Sequence, residues 1–199
     1  MKLIIASNNE HKVKEIKAIL ADRFDDILSL RDAGIEIDVI EDGETFKENA
    51  YKKAFEVMAV VDAYAVLADD SGLMVDALGG APGVHSARFA GEGHDDNANN
   101  RKLLDMMRGV PDNDRTCRFV TAVALVQINA APIICEGIVE GRLLHSPRGS
   151  SGFGYDPLFL YEPKNQTFAE LGDEAKNRVS HRARALAKLR DELKAETLC

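Results

Sequence analysis

The chain has 199 residues, 45% hydrophobic and 29% charged, with no tryptophan and a formal net charge of −8 at pH 7. That length supports one domain with a substantial core and room for two lobes, and the composition excludes disordered and fibrous classes. The acidic balance argues against a nucleic-acid binder, which must neutralise many phosphates, yet a few local cations or a carboxylate-held divalent ion would still admit a small anionic ligand.

Lys2 to Ala6 predicts a short buried strand, and Asn9 then stands where a helix cap belongs, with Val13, Ile16 and Ile19/Leu20 following at helical spacing. Ile27 to Leu30 predicts a second strand. Glu41 to Glu44 is an acidic turn, after which Thr45 and Glu48 form a capping box opening a helix with Phe46, Ala50, Ala54, Val57/Met58 and Val61 on one face. Ala65 to Ala68 predicts a strand ending at Asp69 and Asp70, and Leu73 to Leu78 another. Gly79 to Gly83 is a loop, and Asn97 to Met107 a helix. Arg118 to Ile128 and Pro132 to Leu144 form the longest β-rich pair, turning at Asn129 to Ala131. A last helix starts near Ser180, with an apolar stripe at Leu186, Leu189 and Leu193. Strand–helix units beside a long hairpin predict an α/β fold with a mixed sheet.

No apolar stretch approaches a membrane span, and the run from Leu3 to Ala6 is too short for a signal peptide. Cys117, Cys135 and Cys199 have no metal-ligand spacing and are odd in number, which predicts packing or bystander thiols in a reducing cytoplasm. His11, His85, His94 and His145 likewise show no ligand spacing.

Four segments carry chemistry. Ser7-Asn8-Asn9-Glu10-His11-Lys12 joins a strand to a helix, where backbone N–H groups and the helix dipole hold phosphates, although taken alone it is better explained as a well-capped surface helix. Asp69 and Asp70 point to opposite faces of their strand, and with Glu41 they offer the hard oxygen ligands that magnesium takes alongside phosphate and water. Gly149 to Phe159, GSSGFGYDPLF, combines glycines, which let a backbone approach a ligand, with Phe153 and Tyr155, on which a base can stack. Lys176 to Arg182, KNRVSHR, places Arg182 at the start of the last helix as a rigid donor fork for phosphate or for a purine edge. Any one of these also has a purely structural explanation. Together they form the inventory of a magnesium–nucleoside triphosphate site.

The motifs ASNNEHK, EDGETFKENA, LADDSGL, LGGAPGVHSARFAG, GSSGFGYDPLF and KNRVSHR follow one another nearly end to end. In this the chain resembles the inosine triphosphate pyrophosphatase, or Ham1-like, family, with Ser7 where many members carry Thr. The resemblance implies a single domain over residues 1–199 with an elongated two-lobed α/β fold, a central mixed sheet flanked by helices, and an active-site cleft between the lobes. It implies hydrolysis of ITP, dITP and XTP to the monophosphate and pyrophosphate, with Mg²⁺ and as a cytoplasmic homodimer, without nucleic-acid or membrane partners. By motif, Asp70 is the implied proton acceptor, Glu41 and Asp70 the metal site, and Asp69 a further metal participant. Ser7, Asn8, Asn9, Glu10, His11, Lys12, Lys53, Ser71 and Lys176 are similar to the family's triphosphate contacts. Phe153, Gly154, Tyr155 and Asp156, with His181 and Arg182, resemble its base pocket. A binding-only nucleotide sensor would not need all three carboxylates, and a related enzyme acting on pyrimidine nucleotides would not need a purine-style pocket.

Overall fold

The apolar N-terminal run forms β1 (Lys2–Ile5), and the helix that follows, α1 (Glu10–Leu20), starts where Asn9 accepts hydrogen bonds from the His11 and Lys12 N–H groups. The structure, a computed structural model, describes residues 2–61, 63 and 65–196. The remaining elements in chain order are β2 (Asp26–Ser29), α2 (Phe46–Met58), β3 (Ala65–Val75), α3 (Asp96–Met106), β4 (Thr116–Gln127), β5 (Ile133–Leu143), β6 (Phe159–Tyr161), β7 (Gln166–Thr167), α4 (Phe168–Val179) and α5 (His181–Glu196). Short 3₁₀ turns occupy Asp76–Leu78 and Gly83–Arg88.

The strands form one sheet in the order β2-β1-β3-β4-β5-β6-β7. β1 runs parallel to both β2 and β3, whereas β5–β6 and β6–β7 are antiparallel, so the sheet is mixed as the sequence predicts. The Thr45–Glu48 capping box is present, with each partner accepting from the other's backbone. No helix among the described residues is long and apolar enough to cross a membrane.

Two expectations change. Asp69 and Asp70 do not end a strand: β3 continues through Asp-Asp-Ser-Gly to Val75. The β1 register ends at Leu67, β4 flanks β3 on its other side, and Lys12 and Arg182 compensate the buried Asp69 carboxylate, so the polar run does not break the strand. The chain between Phe159 and Val179 also carries β6, β7 and α4, none of which the hydrophobic pattern predicts. A second capping box, Thr167 with Glu170, opens α4.

The chain divides into two compact units, one from Met1–Asp70, Thr121–Gly137 and His181–Cys199, the other from Ser71–Val120 and Ile138–Ser180. The first unit has its own core of Leu3, Ile5, Ile16, Leu20, Leu67, Val123, Leu125, Leu186 and Leu189. Each fully buried side chain of this kind contributes about 1.5–3 kcal/mol. Leu193 packs on the same core, so the predicted α5 stripe faces inward. α5 also lies hard against β5: a Cβ on Gly137 would stand 2.1 Å from the His181 carbonyl oxygen. That contact between backbones sets where the first turn of α5, and therefore Arg182, begins.

The second unit is built around Leu73, Val75, Leu103, Phe119, Val139, Leu158, Phe159 and Phe168. Phe119 and Phe168 stack at 5.7 Å, with Phe159 tilted 4.7 Å from each. Arg115, 2% exposed, donates to the carbonyls of Leu143, Met107 and Leu144 and ties loop ends to strand ends. Cys117 and Cys135 are buried free thiols, and burial raises the pKa of each, as befits packing residues; Cys199 lies outside the described residues.

Candidate active site

In the first unit, the turn after β1 is shaped by its own side chains. Ser7 Oγ accepts from the Asn9 N–H at 3.2 Å, and Asn9 Oδ1 accepts from His11 and Lys12 at 3.0 and 3.1 Å. Two amides of the α1 N-terminus are therefore already capped, and the positive charge offered here is the Lys12 ammonium. Asn8, Glu10 and His11 are exposed, and Glu10 pairs with Arg31 at 2.7 Å.

Lys12 reaches the middle of β3, where the two aspartates diverge as strand alternation requires. Asp69 is fully buried; its Oδ2 lies 3.2 Å from Lys12 Nζ and 2.9 Å from Arg182 Nη2. Burial alone would raise its pKa, but the charges of Lys12, Arg182 and Lys53 outweigh that and hold it well below the usual carboxylate range. Asp70 behaves oppositely. Burial pushes it up to about 6, the Glu41 carboxylate adds to the rise, and Lys12, Lys53 and a 3.0 Å bond from Asn49 Nδ2 only partly offset them. Two adjacent carboxylates thus take different jobs: one permanently ionised, the other poised to gain or lose a proton near neutrality.

Helix α2 supplies the groups around Asp70. Its capping box fixes the first turn, and Asn49, one residue on, also accepts from the Gly43 N–H at 2.7 Å, holding the acidic turn that carries Glu41. A Cβ on Gly43 would stand 2.7 Å from that Asn49 amide oxygen and 2.9 Å from Glu48 Cβ, so a larger residue there would have to displace them. Lys53, one turn beyond Asn49, bonds the Asp69 carbonyl at 3.2 Å and pairs with Glu41 at 2.6 Å.

Arg182 is fully buried and clasped by two carboxylates, Glu15 of α1 and Asp69. Its pKa is raised: burial opposes the charge, and the two anions more than restore it. His181 beside it is also buried. The sequence singles out neither Glu15 nor Asn49. Both sit one helical turn or less from singled-out residues, Lys12 and Lys53, which is the available signal.

In the second unit, the glycine-aromatic segment forms a loop tied to Lys176. Asp156 Oδ2 accepts from Lys176 Nζ at 2.6 Å and from the Phe153 N–H at 3.0 Å, and the ammonium sits 4.5 Å from the Phe153 ring centroid. Lys176 and Asp156 are each 2% exposed. Lys176 is therefore tied to the aromatic loop. The Tyr155 hydroxyl donates to the Ser86 carbonyl at 2.9 Å, and burial raises its pKa, so it acts as an anchor. Ser71 is half-buried on β3, one residue past Asp70.

Among the described residues no group of three or more His, Cys, Asp or Glu side chains is arranged to hold a metal ion. Asp69 is held by Lys12 and Arg182 together, whereas Glu41, itself paired with Lys53, and Asp70 repel one another and could serve a hard divalent cation. Mutual repulsion between those two carboxylates is the kind of charge imbalance such an ion relieves. Two open concavities of about 670 and 440 Å³ flank the Ser7–Asn8 turn near Arg31, and neither is lined by Asp69, Asp70 or Lys53.

Residues 3–192 match the profile of the Ham1 family. The chain belongs to that family. It is 50% identical over 198 residues to the dITP/XTP pyrophosphatase of Clostridium perfringens, covering 97% of each chain. The Bacillus subtilis dITP/XTP pyrophosphatase is 48% identical, covering 96% of each. The structure of the Staphylococcus aureus Ham1 protein superimposes with a TM-score of 0.87 at 36% identity, over 98% of this chain and 100% of that one.

Proposed function

We propose that this Ham1-family chain hydrolyses the bond between the α and β phosphates of deaminated purine nucleoside triphosphates, dITP, ITP and XTP, releasing the monophosphate and pyrophosphate. The observation that carries the reading is Asp70, a buried carboxylate raised to about 6 with Glu41, Lys12 and Lys53 around it. The relatives' names supply the substrate class.

Phosphoanhydride hydrolysis needs charge neutralisation and in-line positioning above all. Asp70 is assigned the proton of the attacking water, and its pKa near 6 leaves it ionised at neutral pH yet basic enough to accept. Asn49 orients it through the hydrogen bond its Nδ2 donates to Oδ2. Glu41 and Asp70 would hold Mg²⁺, which when bound supplies charge neutralisation at the phosphates and a more acidic water. Lys12 and Lys53 are assigned to the phosphate oxygens, where they stabilise the departing pyrophosphate. Asp69 keeps Lys12 and Arg182 in place and is not assigned to the metal.

Base recognition is assigned to the loop carrying Phe153, Gly154, Tyr155 and Asp156, with the Lys176 ammonium on the Phe153 ring as a donor that favours a 6-oxo group over the 6-amino group of adenine. A site built on such a bond rejects the mismatched base by several decades, about 10⁴ in favourable cases, because buried groups are left unpaired. The test is pyrophosphate release, with phosphate measured separately, from dITP, ITP, XTP, ATP, GTP and pyrimidine triphosphates with Mg²⁺. Equal turnover of all substrates removes the base-reading claim, phosphate in place of pyrophosphate removes the assigned bond, and no turnover removes the enzyme.

A further inference from the structure

One helix grips the Gly154 peptide on both sides. The Gly154 N–H donates to Asp96 Oδ2 at 2.6 Å, and its carbonyl accepts from Asn100 Nδ2 at 2.9 Å. Asp96 and Asn100 stand one turn apart on α3 and so share a face. Asp95 performs the ordinary capping, accepting from the Asn97 and Ala98 N–H groups at 2.9 and 3.1 Å. Asp96 is thereby spared for the loop, in a first turn where the helix dipole favours a carboxylate.

The same helix holds a second segment. Buried Asn99 accepts from the Ala90 N–H at 2.6 Å and donates to the Ala87 carbonyl at 3.1 Å. The opening of α3 lies outside the six sequence motifs, yet it binds to two of them. Gly154 has a left-handed backbone, φ 61°, and a Cβ there would meet nothing within 4 Å. Conformation, not crowding, makes glycine necessary, and a left-handed glycine turn wanders among many conformers unless its peptide is held.

We infer that Asp96 and Asn100 are positioning residues for base recognition, fixing the Phe153–Tyr155 turn in the shape that receives the purine. The inference rests on the base-reading role proposed for that loop. A loop already ordered loses less entropy when substrate binds, so its loosening weakens binding and leaves the proton transfer at Asp70 untouched.

The test measures kcat and KM for dITP in Asp96→Ala, Asn100→Ala and Asp96→Asn, with hydrogen–deuterium exchange over residues 149–157 in the nucleotide-free proteins. The alanine variants are expected to raise KM about five- to tenfold, the loss of one exposed charge-assisted bond at Asp96 or of one part-buried neutral bond at Asn100, with kcat within about twofold of wild type. Exchange over 149–157 rises in both. Asp96→Asn restores both readouts, because an amide oxygen still accepts from the Gly154 N–H. Unchanged KM, a kcat loss matching the KM change, or exchange that does not rise in the alanine variants overturns the inference. If wild type releases no pyrophosphate from any triphosphate, the functional reading fails, and exchange alone decides whether α3 holds the loop.

Discussion

Replacing Asp70 with asparagine is expected to stabilise the protein while removing its activity. An aspartate in the unfolded chain titrates near 3.9, whereas Asp70 in the folded chain titrates at about 6, chiefly through burial and the neighbouring Glu41. Between those values the folded state keeps a proton that the unfolded state has released. Wild type therefore loses stability as pH rises through this window, and the loss is complete above the folded value. At about 1.36 kcal/mol per pH unit the opposition reaches about 3 kcal/mol. The Asp70→Asn side chain carries no charge, and its amide oxygen still accepts from Asn49 Nδ2. Thermal denaturation in a metal chelator is expected to give equal melting temperatures near pH 4 and a variant about 6–12 °C higher at pH 8, at about 2–4 °C per kcal/mol for a chain of this size. Turnover falls by about 10²- to 10⁴-fold. A variant no more stable than wild type at pH 8, or an advantage independent of pH, would refute the account of Asp70 as an ionised carboxylate held against burial and like charge.

The acid limb of kcat should fall tenfold per pH unit below an apparent pKa at or under about 6, moving lower as Mg²⁺ is raised; a limb that ignores metal concentration separates Asp70 from the metal site. Lys176→Met takes the ammonium away from the buried Asp156 carboxylate and is expected to cost about 3–5 kcal/mol in chemical denaturation, more than Lys176→Met combined with Asp156→Leu. Gly137→Ala pushes a methyl group into the backbone of α5, and a loss of at least about 1–3 kcal/mol is expected by urea titration, with none if α5 can shift freely. Phe153→Ala should raise KM for purine triphosphates with little change in kcat, and an unaltered KM would reduce the loop to a turn.

The strand–turn–helix at the N-terminus is legible because a buried apolar run and an Asx cap act locally, and Asn9 caps α1 as its position predicts. The Thr45–Glu48 box is legible for the same reason. β3 escapes a sequence reading at Asp69 because local chemistry marks two aspartates and a Ser-Gly as a turn, whereas the neighbouring β4 and distant cations decide otherwise. The residues between Phe159 and Val179 are illegible because two very short strands give no period, and the pairing of β6 with β5, which anchors them to the sheet, is non-local.

For the site, the sequence by itself determined the inventory: three carboxylates, Lys12, Lys53, the glycine-aromatic loop and the Lys176–Arg182 segment, all recognisable by type and order. It also determined the family, since the motif order survives without any geometry. Only the tertiary structure decided the partners. Arg182 meets Asp69 across 113 positions and Glu15 across 167, and Asn100 meets Gly154 across 54. Whether an aspartate is ionised or poised depends on what burial removes and which charges the fold brings near, and those are properties of packing that Asp69 and Asp70, adjacent and identical in the chain, do not carry themselves.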